Sequence, residues 1–379
     1  MPNRRALFWI SILAPTLLGN DQCGDPAPPP ACSEADEQVI RSLAQSPATD
    51  EDGSFARASN GRVYFAFISN RNGNMDTFLT STTDGLTWTE ARAAVATGSD
   101  DLMNSLTLTS DGTMHLTGRS QQASFDTTAQ PGNVDSWLTQ GVASPWSAPR
   151  QWSAPSFGFA AGLFQEELPS SAKPTGAYWH MFLSNDTGDW EIHLQESRDK
   201  GMTWLPAIID VSNDPGANDY IFSFRITPDN RFIVAWEKYA LDEQGNTPYF
   251  GASSEIYLAT SNDGLTWTRQ ALTPDPGRQR IDALPWLHDG EQGEIALTWM
   301  TSAHGHLLDV VKVPVYPVLD LASTQLLPVP EGAYSVRSQR LGDGRYLLAW
   351  VTDVDPRSNV TNFDYQYRIT CDFDFPPAP

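Results

Sequence analysis

Aspartates recur at one position of a repeated pattern. Short turns begin at residues 60, 111, 175, 229, 292 and 343, and each leads into an apolar run, as in Asn60-Gly61-Arg62-Val63-Tyr64-Phe65 and Asp343-Gly344-Arg345-Tyr346-Leu347-Leu348. Ten residues before each turn stand Asp50, Asp101, Gln165, Asp219, Asp282 and Ala333, with Glu166 and Tyr334 beside the two exceptions. Carboxylates gathered on one rim raise one another's pKa. One then serves as general acid and an ionised neighbour as base or nucleophile, the division of labour of most glycosidases. In that reading Asp101 and Asp282 carry the chemistry, while Asp50 and Asp219 hold the substrate. The same hard oxygens suit Ca2+, the one cofactor considered; otherwise none is expected. A third reading needs no ligand, because each Asp can cap the loop entering its strand and bond only backbone.

The elements that must place these residues are strands. The turns are 51, 64, 54, 63 and 51 residues apart. Between them a second phrase recurs as Thr82-Thr83-Asp84-Gly85-Leu86-Thr87-Trp88, Ser197-Arg198-Asp199-Lys200-Gly201-Met202-Thr203-Trp204 and Ser261-Asn262-Asp263-Gly264-Leu265-Thr266-Trp267. Each copy follows an alternating strand, over 75–81, 190–196 and 255–260, and a worn copy runs over 137–146. Strand, Gly turn, strand, longer loop, strand, Asp turn, strand describes a four-stranded antiparallel blade. Six such units predict an all-β, six-bladed β-propeller. The Asp turns need no catalytic role: Asp accepts backbone N–H groups, Gly supplies the positive φ, and Trp packs between sheets. Asp84, Asp199 and Asp263 are therefore read as structural. The sixth unit, with strands near 333–341, 345–352 and 362–370, lacks a fourth strand, and residues 37–44 can supply it.

Composition agrees. In 379 residues, 24 Lys plus Arg face 46 Asp plus Glu, a net charge of −22, which excludes nucleic-acid binding through phosphates. With 40% hydrophobic and 11% aromatic residues the chain can bury a large core, and 27 Gly, 28 Pro and 13 Trp suit a turn-rich β protein. Arg4 and Arg5 precede an apolar run over 6–19 that is too short to span a bilayer, the order of a secretory signal. The expected domains are a signal peptide over 1–22, a Pro-rich linker over 23–34 and the propeller over 35–379, in a secreted or cell-surface protein. Cys23 stands where a bacterial lipoprotein carries its lipid, which would tether the protein to a membrane. Cys32 and Cys371 would then be free to pair and join the domain's ends; Cys23–Cys32 is the competing bridge. His304-Gly305-His306 has no third ligand for zinc, so no metal site is assigned.

The Ser/Thr-x-Asp-(x)-Gly-x-Thr-Trp turns resemble the Asp box, or BNR repeat, of the sialidase-like six-bladed propellers. That family contains sialidases, other glycosidases and non-catalytic glycan binders. The resemblance implies a Tyr nucleophile activated by a Glu, arginines holding a substrate carboxylate, and Asp boxes on the face away from the active site. Ala333-Tyr334-Ser335 resembles the Tyr-Ser element, so Tyr334 is the candidate nucleophile, with Glu166 or Glu167 as activator. Arg225 and Arg337 are candidate substrate ligands, and Arg119 follows an innermost strand. The first unit lacks a Phe/Tyr-Arg-Ile-Pro element, so the arginine triad is incomplete. Two functions remain open: an exo-glycosidase-like enzyme working at the central mouth, and a non-catalytic, surface-tethered carbohydrate- or protein-binding propeller. A carbohydrate ligand and a monomer are expected.

Overall fold

Apolar runs broken by turn signals fold this chain into six four-stranded antiparallel sheets. The computed structural model describes residues 39–371 apart from 44–47, 121–122, 153–162, 169–175, 186–187, 241–252, 276, 278, 291–292, 304–308, 331 and 354–362. The expected signal, linker, Cys23, Cys32 and the two loop histidines His304 and His306 lie outside the described residues.

From the innermost strand outward, the first blade is Asp50–Arg57, Val63–Ser69, Asp76–Thr82 and Arg92–Val95, and the second is Asp101–Leu108, Met114–Ser120, Ala123–Ala129 and Arg150–Trp152. The third is Leu163–Glu166, Tyr178–Ser184, Glu191–Ser197 and Ile208–Asp210, and the fourth is Ala217–Ile226, Phe232–Ala240, Glu255–Ser261 and Thr268–Ala271. The fifth is Asp282–Asp289, Ile295–Thr301, Asp309–Tyr316 and Gln325–Leu326. The sixth is Tyr334–Arg340, Tyr346–Asp353 and Phe363–Thr370, completed by the N-terminal Arg41–Ser42, which pairs antiparallel with the strand ending at Thr370. Each innermost strand packs against those of its two neighbours, the first against the sixth, so the ring closes as a six-bladed β-propeller. Cys371, one residue beyond the closing strand pair, is disulfide-bonded; its partner lies outside the described residues.

The core lies between blades. Val63–Ser69, Tyr178–Ser184 and Ile295–Thr301 are buried at every residue because a neighbouring sheet covers each of their faces, which is why these strands read as continuous apolar runs. Apolar clusters join the first blade to the second, the third to the fourth, the fourth to the fifth, the fifth to the sixth and the sixth back to the first. Trp179, Trp236 and Trp350 are each at most 1% exposed in them. Truncating one such ring to Ala costs about 3–5 kcal/mol.

The Asp turns form as their residue types dictate. Asp84 Oδ1 accepts from the Leu86 and Thr87 backbone N–H groups at 2.8 Å each, Thr82 Oγ1 donates to it at 3.0 Å, and Gly85 takes φ 73°. Asp263 repeats the set with Leu265, Thr266 and Ser261. Asp199, in a turn one residue longer, accepts from Thr203 N at 2.7 Å. The worn copy over 137–146 behaves differently: Pro131–Gln140 is an α-helix. Pro opens it, Gly141 at φ 72° ends it, and Val134, Trp137 and Leu138 face the first core cluster. Trp137 therefore belongs to a helical 3–4 spacing, and the helix stands after the strand Ala123–Ala129, where the other copies carry an Asp turn.

Candidate functional site

A break in strand register makes the central mouth. The innermost strands of blades one, two, four, five and six each carry a bulge a few residues after their start, between Glu51 and Ser54, Met103 and Ser105, Tyr220 and Phe222, Ala283 and Trp286, and Tyr334 and Arg337. A bulge leaves its extra residue unpaired and re-aims its side chain. Here Asp52, Ile221, Leu284 and Ser335 take φ of 48°, 27°, 54° and 54°. All four line one axial cavity of about 430 Å³, within the usual range for small-molecule sites.

The walls are mainly apolar and aromatic, with Met103, Tyr220, Phe222 and Trp286 beside Ile221 and Leu284, and the charged groups are Asp52, Arg119 and Arg337. Arg337 donates through Nε to Gly53 O at 2.9 Å and through Nη1 to Val336 O at 3.0 Å. Its guanidinium carbon sits 3.5 Å from the centroid of the Trp286 ring, a cation–π stack. Asp52 opens to the cavity yet is enclosed by its walls. That enclosure raises its carboxyl above the usual range, against the pull of Arg337 and Arg119. Glu51, half-buried, is raised by burial and by the charge of Asp52. Burial lowers Arg119 and Arg337, but guanidinium groups keep their charge.

Buried groups behind the cavity wall bond the bulge backbone. The Tyr365 hydroxyl accepts from Gly53 N. Glu237, fully buried, accepts from Leu284 N at 3.0 Å and from the Tyr239 hydroxyl. Burial pushes Glu237 up to about 8, against the bond from Leu284 N.

The ring of aspartates exists, but it does not face the mouth. Asp50, Asp101, Asp219 and Asp282 are all 0% exposed, and none lines this cavity. Asp50 accepts from Arg71 Nη2 at 3.0 and 3.2 Å, Asp101 from Thr97 N and Oγ1 at 2.5 and 2.9 Å, Asp282 from Arg280 Nε at 2.5 Å, and Asp219 from Trp236 Nε1 at 2.6 Å. They tie strand starts to side chains, and Asp101 also to the Thr97 backbone, in place of the backbone-only caps of the third sequence reading. Burial, reinforced by Glu191, raises Asp219 well above the usual range. The mouth therefore carries two guanidinium groups and one carboxyl in place of a cluster of acids.

Tyr334 and Glu166 are not brought together. Tyr334 begins its strand and stacks edge-on against Phe363, with centroids 5.5 Å apart. Glu166 ends its strand, where it accepts from Ser110 N and Oγ at 2.5 and 2.8 Å, tying the third blade to the second. Opposite ends of a seven- or eight-residue strand are on the order of 20 Å apart. Glu167, 7% exposed, accepts from Trp179 Nε1 at 3.2 Å. Arg337 does reach the mouth, but Arg225 lines a lower cavity beyond Trp286.

Sequence reasoning missed Asp52, Tyr220 and Ile221, because counting at fixed steps assumes an unbroken strand. A signal was present: Asp50–Ser54, Asp101–Ser105 and Asp219–Ser223 share one Asp-x-x-x-Ser spacing. Ser54 Oγ accepts from Leu106 N at 3.2 Å and Ser223 Oγ from Leu287 N at 2.9 Å, so these serines pin an innermost strand to the next blade just past its bulge.

No family model and no curated protein sequence matches the chain. Solved structures do. A protein of unknown function from Dyadobacter fermentans is 13% identical with a TM-score of 0.62, covering 87% of this chain and 98% of its own. The α-L-arabinanase of Penicillium chrysogenum complexed with arabinobiose is 14% identical with a TM-score of 0.53, covering 87% and 96%. The K499G mutant of the NanB sialidase of Streptococcus pneumoniae is 11% identical with a TM-score of 0.53, covering 87% and 69%. At these identities the likeness is one of fold.

Proposed function

We propose that this chain is an exported propeller of the sialidase-like, Asp-box type that takes the end of a glycan chain in its mouth cavity. The observation that carries this reading is the set gathered there: a Trp286 ring backed by Arg337, two further aromatic walls, and the pair of Arg119 and Asp52. Aromatic faces pack on sugar C–H faces, while guanidinium and carboxyl groups bond hydroxyls in fixed directions. Two guanidinium groups against one carboxyl favour a sugar that bears a carboxylate. Glycan-acting neighbours of the same fold, an arabinanase with bound arabinobiose and a sialidase, support the substrate class. The N-terminal signal, the Pro-rich tether and lipidation at Cys23 belong to the same proposal and would place the mouth outside the cell.

Hydrolysis is the second reading, and the raised carboxyl of Asp52 favours it, because a carboxyl raised above its usual range holds its proton to higher pH and can donate it to a leaving group. Calorimetric titration with neutral and uronate- or sialate-terminated oligosaccharides tests binding. Acidic termini bind more tightly to wild type, and Arg337→Met and Trp286→Ala each lose at least about tenfold. Binding of no glycan, or binding indifferent to both substitutions, would sink the reading. In a chromogenic glycoside screen, Asp52→Asn lowers turnover by about 10²–10⁴-fold if Asp52 is the acid.

A further inference from the structure

Beyond Trp286 the axis holds a second cavity, of about 260 Å³, built by the later parts of all six innermost strands. Trp286 lines both cavities. The lower one is polar where the mouth is apolar, with Arg57, Arg225, Gln165, Gln339 and Asp289 among its lining. Its charges do not balance. Arg225 Nε lies 3.5 Å from Asp289 Oδ2, but the Asp289 side chain is 67% exposed, so solvent screens that pair. Arg57 makes no hydrogen bond or ion pair among the described residues, and its Nε is buried without a partner. A desolvated guanidinium donor left unmatched is costly unless a ligand completes it. Positive charge also gathers just behind: burial, then Arg337, Arg225 and Lys312, hold the buried His288 far below its usual pKa. In a chain of net charge −22 this is an unusual concentration of cations.

We propose that the lower cavity is a binding site for a small oxyanion of phosphate size. The Arg57 and Arg225 guanidinium groups supply its charged donors, and the Gln165 and Gln339 amides its neutral ones. Guanidinium forks match the paired oxygens of such an anion, and the cavity falls below the usual volume of sites for larger ligands. The site is lined by later residues of the innermost strands than the glycan mouth and shares only Trp286 with it.

Titration calorimetry of the full chain with inorganic phosphate, at ionic strength held constant with sodium chloride, tests this. Wild type shows one saturable site. Arg57→Gln and Arg225→Gln each weaken it at least about tenfold, and Arg119→Gln in the mouth leaves it unchanged. No saturable binding by wild type, or binding lost with Arg119→Gln and retained with Arg57→Gln, overturns the proposal. Wild-type crystals soaked in selenate give a reading that needs no variant. An anomalous peak between Arg57 and Arg225 supports the site, and a peak only in the mouth, or none, overturns it.

Discussion

Both ends of this propeller bend the backbone into the left-handed region, but with different residues. Along the turn face the positive φ falls mostly on glycine, at Gly61, Gly85, Gly112, Gly201, Gly264 and Gly344, with Asn230 and Lys200 as the side-chain-bearing cases. In the mouth it falls on Asp52, Ile221, Leu284 and Ser335. Glycine meets the conformation at no steric cost, whereas a β-branched Ile there is strained. Four of the strained side chains line one cavity, which marks them as kept there for a purpose. The carboxyls differ in the same sense. Burial alone would raise Asp84, but bonds from Thr87, Leu86 and Thr82 outweigh it, and bonds from Thr203 and from Thr266 and Leu265 do the same for Asp199 and Asp263. All three lie below the usual range, committed to their turns, while Asp52 and Glu51 lie above it.

The largest expected effect separates the two regions by pH. Glu237, which supports the Leu284 bulge, has its folded pKa raised from 4.5 to about 8. Between those values the folded chain holds a proton that the unfolded chain has released. Stability therefore falls as pH rises through this window, by on the order of 5 kcal/mol, and levels off above it. Glu237→Gln keeps an acceptor for Leu284 N and flattens that slope. The depressed turn aspartates have the opposite sign, since their contribution is present above the unfolded Asp pKa and is lost as pH falls through their folded values. Urea midpoints of wild type and Glu237→Gln at about pH 5, 7 and 9 measure the difference; parallel curves would erase the contrast.

Next in size is Gly85→Val. A Cβ at Gly85 would stand 2.9 Å from Leu341 Cδ1 and 3.2 Å from Ile369 Cδ1, at φ 73°. A loss of about 3 kcal/mol in urea unfolding is expected, from strain plus overpacking, with glycan affinity unchanged. A tolerated Val would mean that the turn glycines are not required by conformation. The smallest effect is the mirror case: Ile221→Gly relieves a strained φ and gains about 1 kcal/mol while weakening glycan binding. If that variant lost stability and bound normally, the mouth strain would have no functional meaning.

Much of the fold was legible because its signals are local. The turn spacings, the Asp turns and the missing fourth strand of the sixth unit each depend on a few consecutive residues, and closure by Arg41–Ser42 falls inside the expected 37–44 segment. The helix at Pro131–Gln140 was less legible, since Trp137 and Trp146 mimic the spacing of an Asp turn. For the site, Arg337 was found and Asp52 was not, although it lies two residues from Asp50. A strand's alternation assigns neighbouring residues to opposite faces only while its register holds, and every bulge resets the count.

The sequence by itself determined six blades, their order and the turns that hold them, because hydrophobic period and turn chemistry are properties of contiguous residues. It also placed four aspartates at equivalent positions. Only the tertiary structure decided what those positions face: the aspartates are buried at the strand starts, while Asp52, Tyr220 and Trp286 line the axial cavity. Which of two adjacent carboxyls meets water depends on contacts between strands far apart in the chain, and no local pattern records that.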